Sequence, residues 1–244
     1  MKGVVLAGGL GTRLYPLTHA TNKHLLPVFD KPMIFYPVQT LVNAGIRDIL
    51  VVVGGPHAGD FIRVLQNGKE FGIDHLEFAY QQSSDGGIAD ALKLAEDFAD
   101  NGPLTVILGD NCTDADISKE VKNFKDGALI FLKKVGDPHR FGIAEIDSKD
   151  KTKVVSIVEK PKNPKGNLAV TGVYIYDSAV FRYISQIKPS ARGQLEITDV
   201  NNIYIKEGAL RWAALDGYWS DAGTFESLYQ TNEYWARKSL GEKD

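Results

Sequence analysis

Short apolar runs alternate with helical patterns along the first 110 residues, and this alternation restricts the folds that the chain can adopt. The apolar runs are continuous, as in strands buried on both faces of a sheet, and they cover residues 4–7, 49–53 and 104–108. The helical patterns between them cover residues 32–44, 60–66 and 88–98. Strands that alternate with helices in this way form a parallel sheet with helices on both faces. We therefore predict an α/β fold with a doubly wound, mostly parallel, Rossmann-like sheet.

The second half of the chain has more strand-like segments and fewer helical ones. Four strand-like segments are separated by turn residues, at 128–132, 141–146, 154–158 and 170–176. Helical patterns follow at 197–206 and 224–237. No linker or low-complexity stretch separates the two halves. We predict a single domain over 1–244, in which a β-rich lobe extends the sheet and faces the first half across a cleft.

Composition and charge argue against several classes of protein. The chain carries 28 Lys and Arg against 31 Asp and Glu, a net charge of −3 with no long run of one sign, which argues against nucleic-acid binding. Cys112 is the single cysteine, so no internal disulfide can form. The apolar stretch at the N-terminus is too short for a signal peptide or a membrane span. We therefore predict a cytoplasmic protein that binds neither nucleic acid nor a membrane.

A glycine-rich loop directly follows the first apolar run. Its sequence is Gly8-Gly9-Leu10-Gly11-Thr12-Arg13. Glycines let the backbone come close to a ligand, and successive free N–H groups form a concavity that suits phosphate oxygens. The loop lacks the closing Gly-Lys-Ser/Thr of a Walker A motif, and Leu14 stands where a dinucleotide fingerprint has glycine. A connecting turn is the alternative, but Arg13 and the nearby Lys23 favour a triphosphate site, because both side chains bind phosphate.

Two acidic residues are candidates for a metal site. Asp110 and Asn111 come directly after the third apolar run, at the edge where open α/β sheets bind ligands. Asp221 lies shortly before a predicted helix. Mg²⁺ accepts one or two carboxylates together with phosphate oxygens. Ordinary turn residues are the alternative, and either acid taken alone would be interpreted in that way.

Further polar residues follow two predicted strands. Glu159 and Lys160 come after the strand at 154–158, where a glutamate can bind sugar hydroxyls and a lysine can bind a phosphate. Charged residues that form salt bridges at an exposed strand end are the alternative. Gln81 and Gln82 stand at the end of another strand, ahead of Gly86 and Gly87. A side-chain amide has donor and acceptor atoms that can pair with a pyrimidine edge, and a polar turn is the alternative.

Together these motifs resemble those of the sugar-nucleotide pyrophosphorylase family. The resemblance extends over nearly the whole chain and includes the glycine loop, Gly109-Asp110-Asn111 and Glu159-Lys160-Pro161-Lys162. Its most specific parts are Ala169-Val170-Thr171-Gly172-Val173-Tyr174 and residues 188–199. Chance matches of that length are implausible. Members with a longer chain also carry a helical C-terminal tail that this sequence lacks.

The resemblance implies a role for each candidate residue. Those that would bind the triphosphate are Gly8, Gly9, Gly11, Thr12, Arg13 and Lys23. Those that would contact the base are Gln82 and Gly87. Those that would bind the sugar and its phosphate are Gly142, Glu159, Val170, Trp219, Lys160 and Arg192. Asp110 and Asp221 would hold Mg²⁺, Asn111 would be a further substrate contact, and Arg13, Lys23 and Lys160 would be catalytic.

The reaction that the resemblance implies is nucleotidyl transfer. A phosphate oxygen of a sugar 1-phosphate would attack the α-phosphorus of a nucleoside triphosphate in line, and pyrophosphate would leave; the nucleophile is already ionised, so no general base is needed. The nearest resemblance is to members that use dTTP and glucose 1-phosphate. UTP is an alternative, because thymine and uracil differ by one methyl group. A non-catalytic regulatory subunit that senses nucleotide sugars is the alternative from another functional class. The family resemblance also implies that the protein forms a homo-oligomer.

Overall fold

The computed structural model describes residues 1–83 and 85–241, and a nine-stranded sheet forms its centre. The strands of this part are β1 Lys2–Ala7, β2 Pro27–Val28, β3 Lys31–Pro32, β4 Asp48–Gly54, β5 His75–Gln81, β6 Leu104–Leu108, β7 Cys112–Thr113, β8 Ala128–Lys134, β9 Gly142–Ile146, β10 Val154–Glu159, β11 Leu168–Tyr176, β12 Leu210–Ala214 and β13 Trp219–Ser220. The α-helices are α1 Leu17–Ala20, α2 Phe35–Asn43, α3 Ala58–Leu65, α4 Ile88–Lys93, α5 Glu96–Ala99, α6 Ser118–Asn123, α7 Ala179–Ile184, α8 Ile197–Lys206 and α9 Phe225–Leu240. Short 3-10 helices lie at Thr12–Leu14, Lys23–Leu25, Lys69–Phe71 and Pro138–Arg140.

The first half of the sheet is parallel, and its strand order reverses at β1. Strand β1 pairs with β4 on one side and with β6 on the other, and β5 pairs with the far edge of β4. This order confirms the predicted doubly wound sheet. In such sheets the carboxyl ends of the strands at the reversal form a crevice for ligands. The glycine loop follows β1, and Asp110 follows β6, so both lie at this crevice.

The second half continues the same sheet with mainly antiparallel strands. Strand β11 pairs with β6, β8 and β9, and β10 pairs with the other edge of β9, all of them antiparallel. Strand β12 is parallel to β8. Because β11 touches both β6 and the β-rich half, it brings the residues of that half next to the crevice.

The core lies on both faces of the sheet. Along β1 the side chains of Val4 and Leu6 enter one apolar cluster, whereas those of Val5 and Ala7 enter the other. Successive side chains of a strand point to opposite faces, so burial on both faces requires a continuous apolar run. The apolar runs that predict the sheet therefore have a direct structural cause.

Two predicted helices differ from the observed ones. The predicted helix at 88–98 is divided into α4 and α5, because the N–H groups of Leu94 and Ala95 donate to carbonyls three residues back, at Ala91 and Leu92. Such bonds are typical of a 3-10 turn and end the regular α-helix. The helix predicted from residue 32 begins only with α2, because Lys31–Pro32 pairs with Pro27–Val28 as a short hairpin.

The long helix α9 packs across the end of the fold. The hydroxyl of Thr224 caps its first turn. Near its other end, Lys238 and the hydroxyl of Tyr234 both donate to the carboxylate of Asp114, which follows β7. The backbone N–H of Tyr218 donates to the same carboxylate at 2.7 Å, so α9 is tied to the segment that leads to Trp219 and Asp221. In the described ranges no helix combines the length and the apolar character needed to cross a membrane.

Candidate active site

A cavity of about 330 Å³ lies at the carboxyl ends of β1 and β6, between the two halves of the chain. It brings together most of the residues that the sequence predicts as functional. Those that line it are Gly8, Gly9, Arg13, Lys23, Gly87, Asp110, Asn111, Gly142, Glu159, Lys160, Val170, Arg192, Trp219 and Asp221. The first half therefore supplies the glycine loop and two of the predicted cations, and the second half supplies the other two predicted cations together with Arg140. Asp110 and Asp221 face the same space from different segments.

Three predicted residues do not line this cavity. Gly11 is packed against the side chain of Lys23, where a Cβ on residue 11 would come 2.6 Å from the Cβ of Lys23. Its backbone has a φ of +69°, which glycine adopts without strain, so Gly11 allows the loop to close over the stem of Lys23. Thr12 is exposed. The predicted contacts of Gly11 and Thr12 with a triphosphate remain predictions.

The structure places Gln81, and not the predicted Gln82, in the wall of the cavity, and the predicted contact of Gln82 with a base remains a prediction. Gln81 is the last residue of β5, is 4% exposed and lines the cavity, whereas Gln82 is exposed and does not. Neighbouring side chains on an extended chain point in opposite directions, so a shift of one residue moves the amide out of the cavity. The sequence does not specify the register of β5 to the residue, so no local signal distinguishes the two glutamines.

Asn111 connects three parts of the cavity wall. Its amide Nδ2 donates to Asp110 Oδ1 at 2.9 Å. Its Oδ1 accepts from the backbone N–H of Gly172 at 3.0 Å and from the indole Nε1 of Trp219 at 2.6 Å. The side chain is buried and uses both its donor and its acceptor. Asn111 thus fixes the orientation of Asp110 and joins it to β11 and to the segment of Trp219.

Lys23 and Asp110 form a buried ion pair, with 2.6 Å between Nζ and Oδ2. Burial acts to raise the pKa of Asp110, but the charge of Lys23 and the hydrogen bonds from Lys23 and Asn111 outweigh it and lower the pKa. The neighbouring His24 is also buried, and burial next to Lys23 lowers its pKa to about 3. Its Nδ1 lies 2.7 Å from Asn22 Oδ1. The histidine is therefore neutral at physiological pH, and the carboxylate is ionised.

Asp221 is paired with Arg140, a residue that belongs to none of the sequence motifs. Arg140 Nη2 donates to Asp221 Oδ2 at 2.5 Å, and the Nε of the same guanidinium is buried without a hydrogen-bond partner among the described residues. Both residues line the cavity. Arg13 lies close by: a Cβ at Gly223 would meet Arg13 Nη2 at 2.9 Å and Asp221 Oδ2 at 3.3 Å. Arg140 ends the short 3-10 helix Pro138–Arg140, and no local pattern in the sequence indicates it as the partner of Asp221.

The second half of the chain supplies a charged network around Glu159. Its Oε2 accepts from the hydroxyl of Thr198 at 2.7 Å, and its Oε1 accepts from Arg192 at 3.2 Å. Arg192 also donates to Glu196 at 2.9 Å. Thr198 and Glu196 lie in the segment 188–199 but were not singled out from the sequence. This network holds the guanidinium of Arg192 at the edge of the cavity.

Lys160 leaves its strand in an unusual backbone conformation. Its φ of +43° is in the left-handed region, which a lysine rarely adopts, and its N–H donates to the carbonyl of Phe141 at 3.0 Å. Partial burial, followed by the charge of Arg192, lowers the pKa of Lys160. Ala222, next to Asp221, also has a positive φ, of +34°. Strained backbone of this kind is concentrated at functional sites; Lys160 lines the cavity itself, and Ala222 is buried directly after the cavity-lining Asp221.

The two carboxylates suit a divalent cation that completes its coordination with substrate oxygens. Asp110 and Asp221 line the same cavity, and each is held by one cationic side chain. No cluster of three or more His, Cys, Asp or Glu side chains suited to a metal occurs within residues 1–83 and 85–241. Mg²⁺ needs no such cluster, because it binds through one or two carboxylates together with phosphate oxygens and water.

Comparison with known proteins assigns the chain to a family. A family model described as nucleotidyl transferase matches residues 2–238. The chain belongs to the nucleotidyl transferase family. Among its relatives, a Neisseria gonorrhoeae protein named glucose-1-phosphate thymidylyltransferase is 45% identical over 240 residues, which are 96% of this chain and 82% of that protein. A protein of the same name from Xanthomonas campestris pv. campestris (strain B100) is 43% identical, over 96% of this chain and 80% of its own length.

Two solved structures share the fold of this chain. A Bacillus anthracis protein described as a glucose-1-phosphate thymidylyltransferase, solved in complex with a sucrose, is 50% identical, with a TM-score of 0.89 over 96% of this chain and 94% of that one. A UDP-glucose pyrophosphorylase complexed with UDP-glucose superposes with a TM-score of 0.84 at 24% identity, over 97% of this chain and 98% of that one. At that identity the similarity demonstrates the fold alone. The predicted resemblance to the sugar-nucleotide pyrophosphorylases is therefore confirmed at the level of family and fold.

Proposed function

We propose that this nucleotidyl transferase joins dTTP to glucose 1-phosphate, forming dTDP-glucose and releasing pyrophosphate. The observation that carries the proposal is that cations from both halves of the chain, Arg13 and Lys23 from one and Lys160 and Arg192 from the other, line one cavity. Two polyanions must approach each other in such a reaction, and each needs its own positive partners. The name of the relatives that are 43–45% identical supports thymidylyl transfer in particular.

The chemistry that these residues support is an in-line displacement at phosphorus. An oxygen of the sugar phosphate forms a bond to the α-phosphorus of the triphosphate, and the bond from that phosphorus to the bridging oxygen of pyrophosphate breaks. The bonding electrons leave with pyrophosphate, and no proton has to be removed because the attacking oxygen is already ionised. The buried, neutral His24 is in keeping with a reaction without a general base. Catalysis then depends on positioning and on stabilising the developing charge.

The chain's own residues divide between the two substrates. Gly8 and Gly9 would let the triphosphate approach the backbone, with Arg13 and Lys23 as its cations, and Gln81 and Gly87 would meet the base. Residues that would hold the sugar and its phosphate are Gly142, Glu159, Val170, Trp219, Lys160 and Arg192. Asp110 and Asp221 would hold Mg²⁺, which when bound neutralises charge on the phosphates. Lys23 and Arg140 orient these two carboxylates.

The retained reactive residues favour an enzyme over a regulatory subunit that only senses nucleotide sugars. Such a subunit has no need to keep Arg13, Lys23, Asp110 and Asp221 together, whereas here all four line the cavity. A uridylyltransferase is the second candidate, because a single methyl group is worth only roughly 1–3 kcal/mol in a pocket.

A pyrophosphate-release assay with Mg²⁺, over a grid of nucleoside triphosphates and sugar 1-phosphates, tests this function. We expect dTTP with glucose 1-phosphate to give the highest kcat/KM. A higher value with UTP would indicate a uridylyltransferase, and no release with any pair would refute nucleotidyl transfer.

Asp110→Asn and Asp221→Asn should each remove most of the activity while the circular dichroism spectrum is retained. Near-normal turnover of both variants would refute the assignment of the metal ligands.

Two arginines allow the placement of the substrates to be tested separately. Arg13→Ala should mainly lower kcat, because negative charge grows on the leaving pyrophosphate in the transition state. Arg192→Ala should mainly raise the KM for the sugar 1-phosphate, because that phosphate is already charged in the ground state. Steady-state kinetics with each substrate varied in turn distinguishes the two effects. If Arg13→Ala changed only the sugar-phosphate KM, the proposed placement of the substrates would be reversed.

We also propose that the enzyme acts in the cytoplasm as a homo-oligomer. The buried single cysteine Cys112 suits a reducing compartment, and the oligomer is supported by the family resemblance. Light scattering coupled to size-exclusion chromatography measures the assembly directly, and a mass near 26.8 kDa would show a monomer instead.

A further inference from the structure

We propose that Asp90 fixes the direction of the Gln81 amide, so that the cavity offers the base a hydrogen-bond acceptor and selects bases that carry a ring N–H. The inference rests on the proposed function, because it assumes that the base of the triphosphate is bound beside Gln81. It adds a positioning residue for base selection, on the first turn of α4, that the motifs did not indicate.

The donor side of the Gln81 amide is occupied by two acceptors of the protein. Nε2 donates to Asp90 Oδ2 at 2.8 Å and lies 3.4 Å from the carbonyl oxygen of Gly87, to which it also donates. A carboxylate and a carbonyl oxygen can only accept hydrogen bonds. If the amide were reversed, its oxygen would face both of these acceptors, and Asp90 Oδ2 would lose its hydrogen bond from Gln81, whereas the carbonyl of Gly87 would keep its bond from the N–H of Ala91. The orientation with Nε2 toward Asp90 is therefore set by the chemistry of its neighbours.

The acceptor side of the same amide faces the cavity wall at Gly8. Oε1 lies 2.2 Å from the place that a Cβ of residue 8 would occupy, and both Gln81 and Gly8 line the cavity. Of the hydrogen bonds formed within residues 1–83 and 85–241, none is donated to Oε1. With both protons of Nε2 directed at Asp90 and Gly87, the amide presents a ligand with an oxygen acceptor and no free donor.

An acceptor at this position distinguishes the pyrimidines by one ring atom. Thymine and uracil carry a proton on N3 and can donate it to Oε1. Cytosine has a lone pair on N3, so the same approach would bring two acceptors together and leave both unpaired. A site built to accept a hydrogen bond rejects an analogue that lacks the donor much more strongly than a pocket rejects an extra methyl group. Asp90 thus contributes to the choice between dTTP and dCTP without touching either of them.

Asp90→Asn is the variant that separates this role from a structural one. An asparagine can face Gln81 with its oxygen or with its NH₂ group, so the Gln81 amide is free to turn and to offer Nε2 to the base. We expect the ratio of kcat/KM for dTTP over dCTP to fall at least tenfold, with most of the change in KM, since the base contact is the same in the ground state and the transition state. Asp97→Asn is the matched control: it removes an exposed charge from the first turn of α5 and should leave the ratio unchanged.

A substrate analogue tests the same idea on the unaltered enzyme. N3-methyl-dTTP lacks the ring N–H, and we expect its kcat/KM to be at least tenfold lower than that of dTTP. Equal use of both triphosphates by the wild type, or an unchanged dTTP-to-dCTP ratio in a folded Asp90→Asn, would overturn the inference while the proposed function stands. No pyrophosphate release from dTTP with any sugar 1-phosphate would instead refute the proposed function itself.

Discussion

Replacing Asn111 by aspartate tests the electrostatics of the site with almost no change in shape. The new side chain keeps an oxygen that can accept from Gly172 and Trp219, but it replaces the donor that faces Asp110 with a second carboxylate oxygen. In the wild type the pKa of Asp110 is lowered, so this group stabilises the fold above the pKa of its unfolded state, and that stability is lost as the pH falls. Asn111→Asp reverses this dependence of stability on pH. Two adjacent carboxylates repel each other, so the pKa of at least one of them is raised in the folded protein.

The size of the effect follows from the distance. Two unit charges 2.9 Å apart, the separation of Asn111 Nδ2 and Asp110 Oδ1, repel by about 6 kcal/mol at an effective dielectric constant of about 20. Protonating one carboxyl instead costs about 1.4 kcal/mol for each pH unit above an ordinary pKa of about 3.9, which is about 4 kcal/mol at pH 7. Protonation requires less free energy than the repulsion, so it determines how much stability is lost. The charge of Lys23, whose Nζ lies 2.6 Å from Asp110 Oδ2, offsets part of this loss. We expect a loss of about 2–4 kcal/mol at pH 7.

The pH dependence is the sharper part of this prediction. A carboxyl whose pKa is raised by folding destabilises the protein increasingly as the pH rises above the unfolded value, so the loss should shrink toward pH 5. Urea unfolding followed by circular dichroism at pH 5, 6 and 7 measures it. Trp219→Phe is the control, because it removes one donor to Asn111 without adding a charge and should cost about 1 kcal/mol at each pH. A loss below about 1 kcal/mol at pH 7, or one that is the same at all three pH values, would refute the reasoning.

Three further predictions concern single contacts. Arg140→Gln should lower kcat at least tenfold with an unchanged circular dichroism spectrum, because Asp221 loses the partner that orients it; kinetics equal to the wild type would contradict this. Gln81→Ala should raise the KM for dTTP about tenfold, whereas Gln82→Ala should change it less than twofold, as steady-state kinetics can show. Burial alone would raise the pKa of Asp114, but the hydrogen bonds that its carboxylate accepts from α9 have the larger effect, so the net result is a lowered pKa. Asp114→Asn should therefore cost about 1.5 kcal/mol in urea unfolding at pH 7, and this difference should become smaller as the pH falls below about 3.9, the pKa of an unfolded aspartate; a difference that stays constant there would contradict the reasoning.

The sequence by itself determined the kind of sheet and most of the residues around the cavity. Strands buried on both faces need continuous apolar runs, and this requirement is local, so the strands at 4–7 and 104–108 could be predicted before any packing was known. The carboxyl ends of such strands meet at one edge, which is why the glycine loop and Asp110 could be expected together. Motifs of the second half indicated Glu159 and Arg192, which do line the same cavity.

Only the tertiary structure decided which side chains face one another. Gln81 rather than Gln82 lines the cavity because the direction of a side chain depends on the register of its strand, which one sequence does not specify to the residue. The pairing of Arg140 with Asp221 joins residues far apart in the chain, and no local pattern records it. The bond from Gln81 to Asp90 joins the end of β5 to the first turn of α4, and it forms only once these two elements are packed together. Apolar periodicity fixes the elements, whereas polar contacts depend on distances of a few ångströms that exist only after the elements have packed.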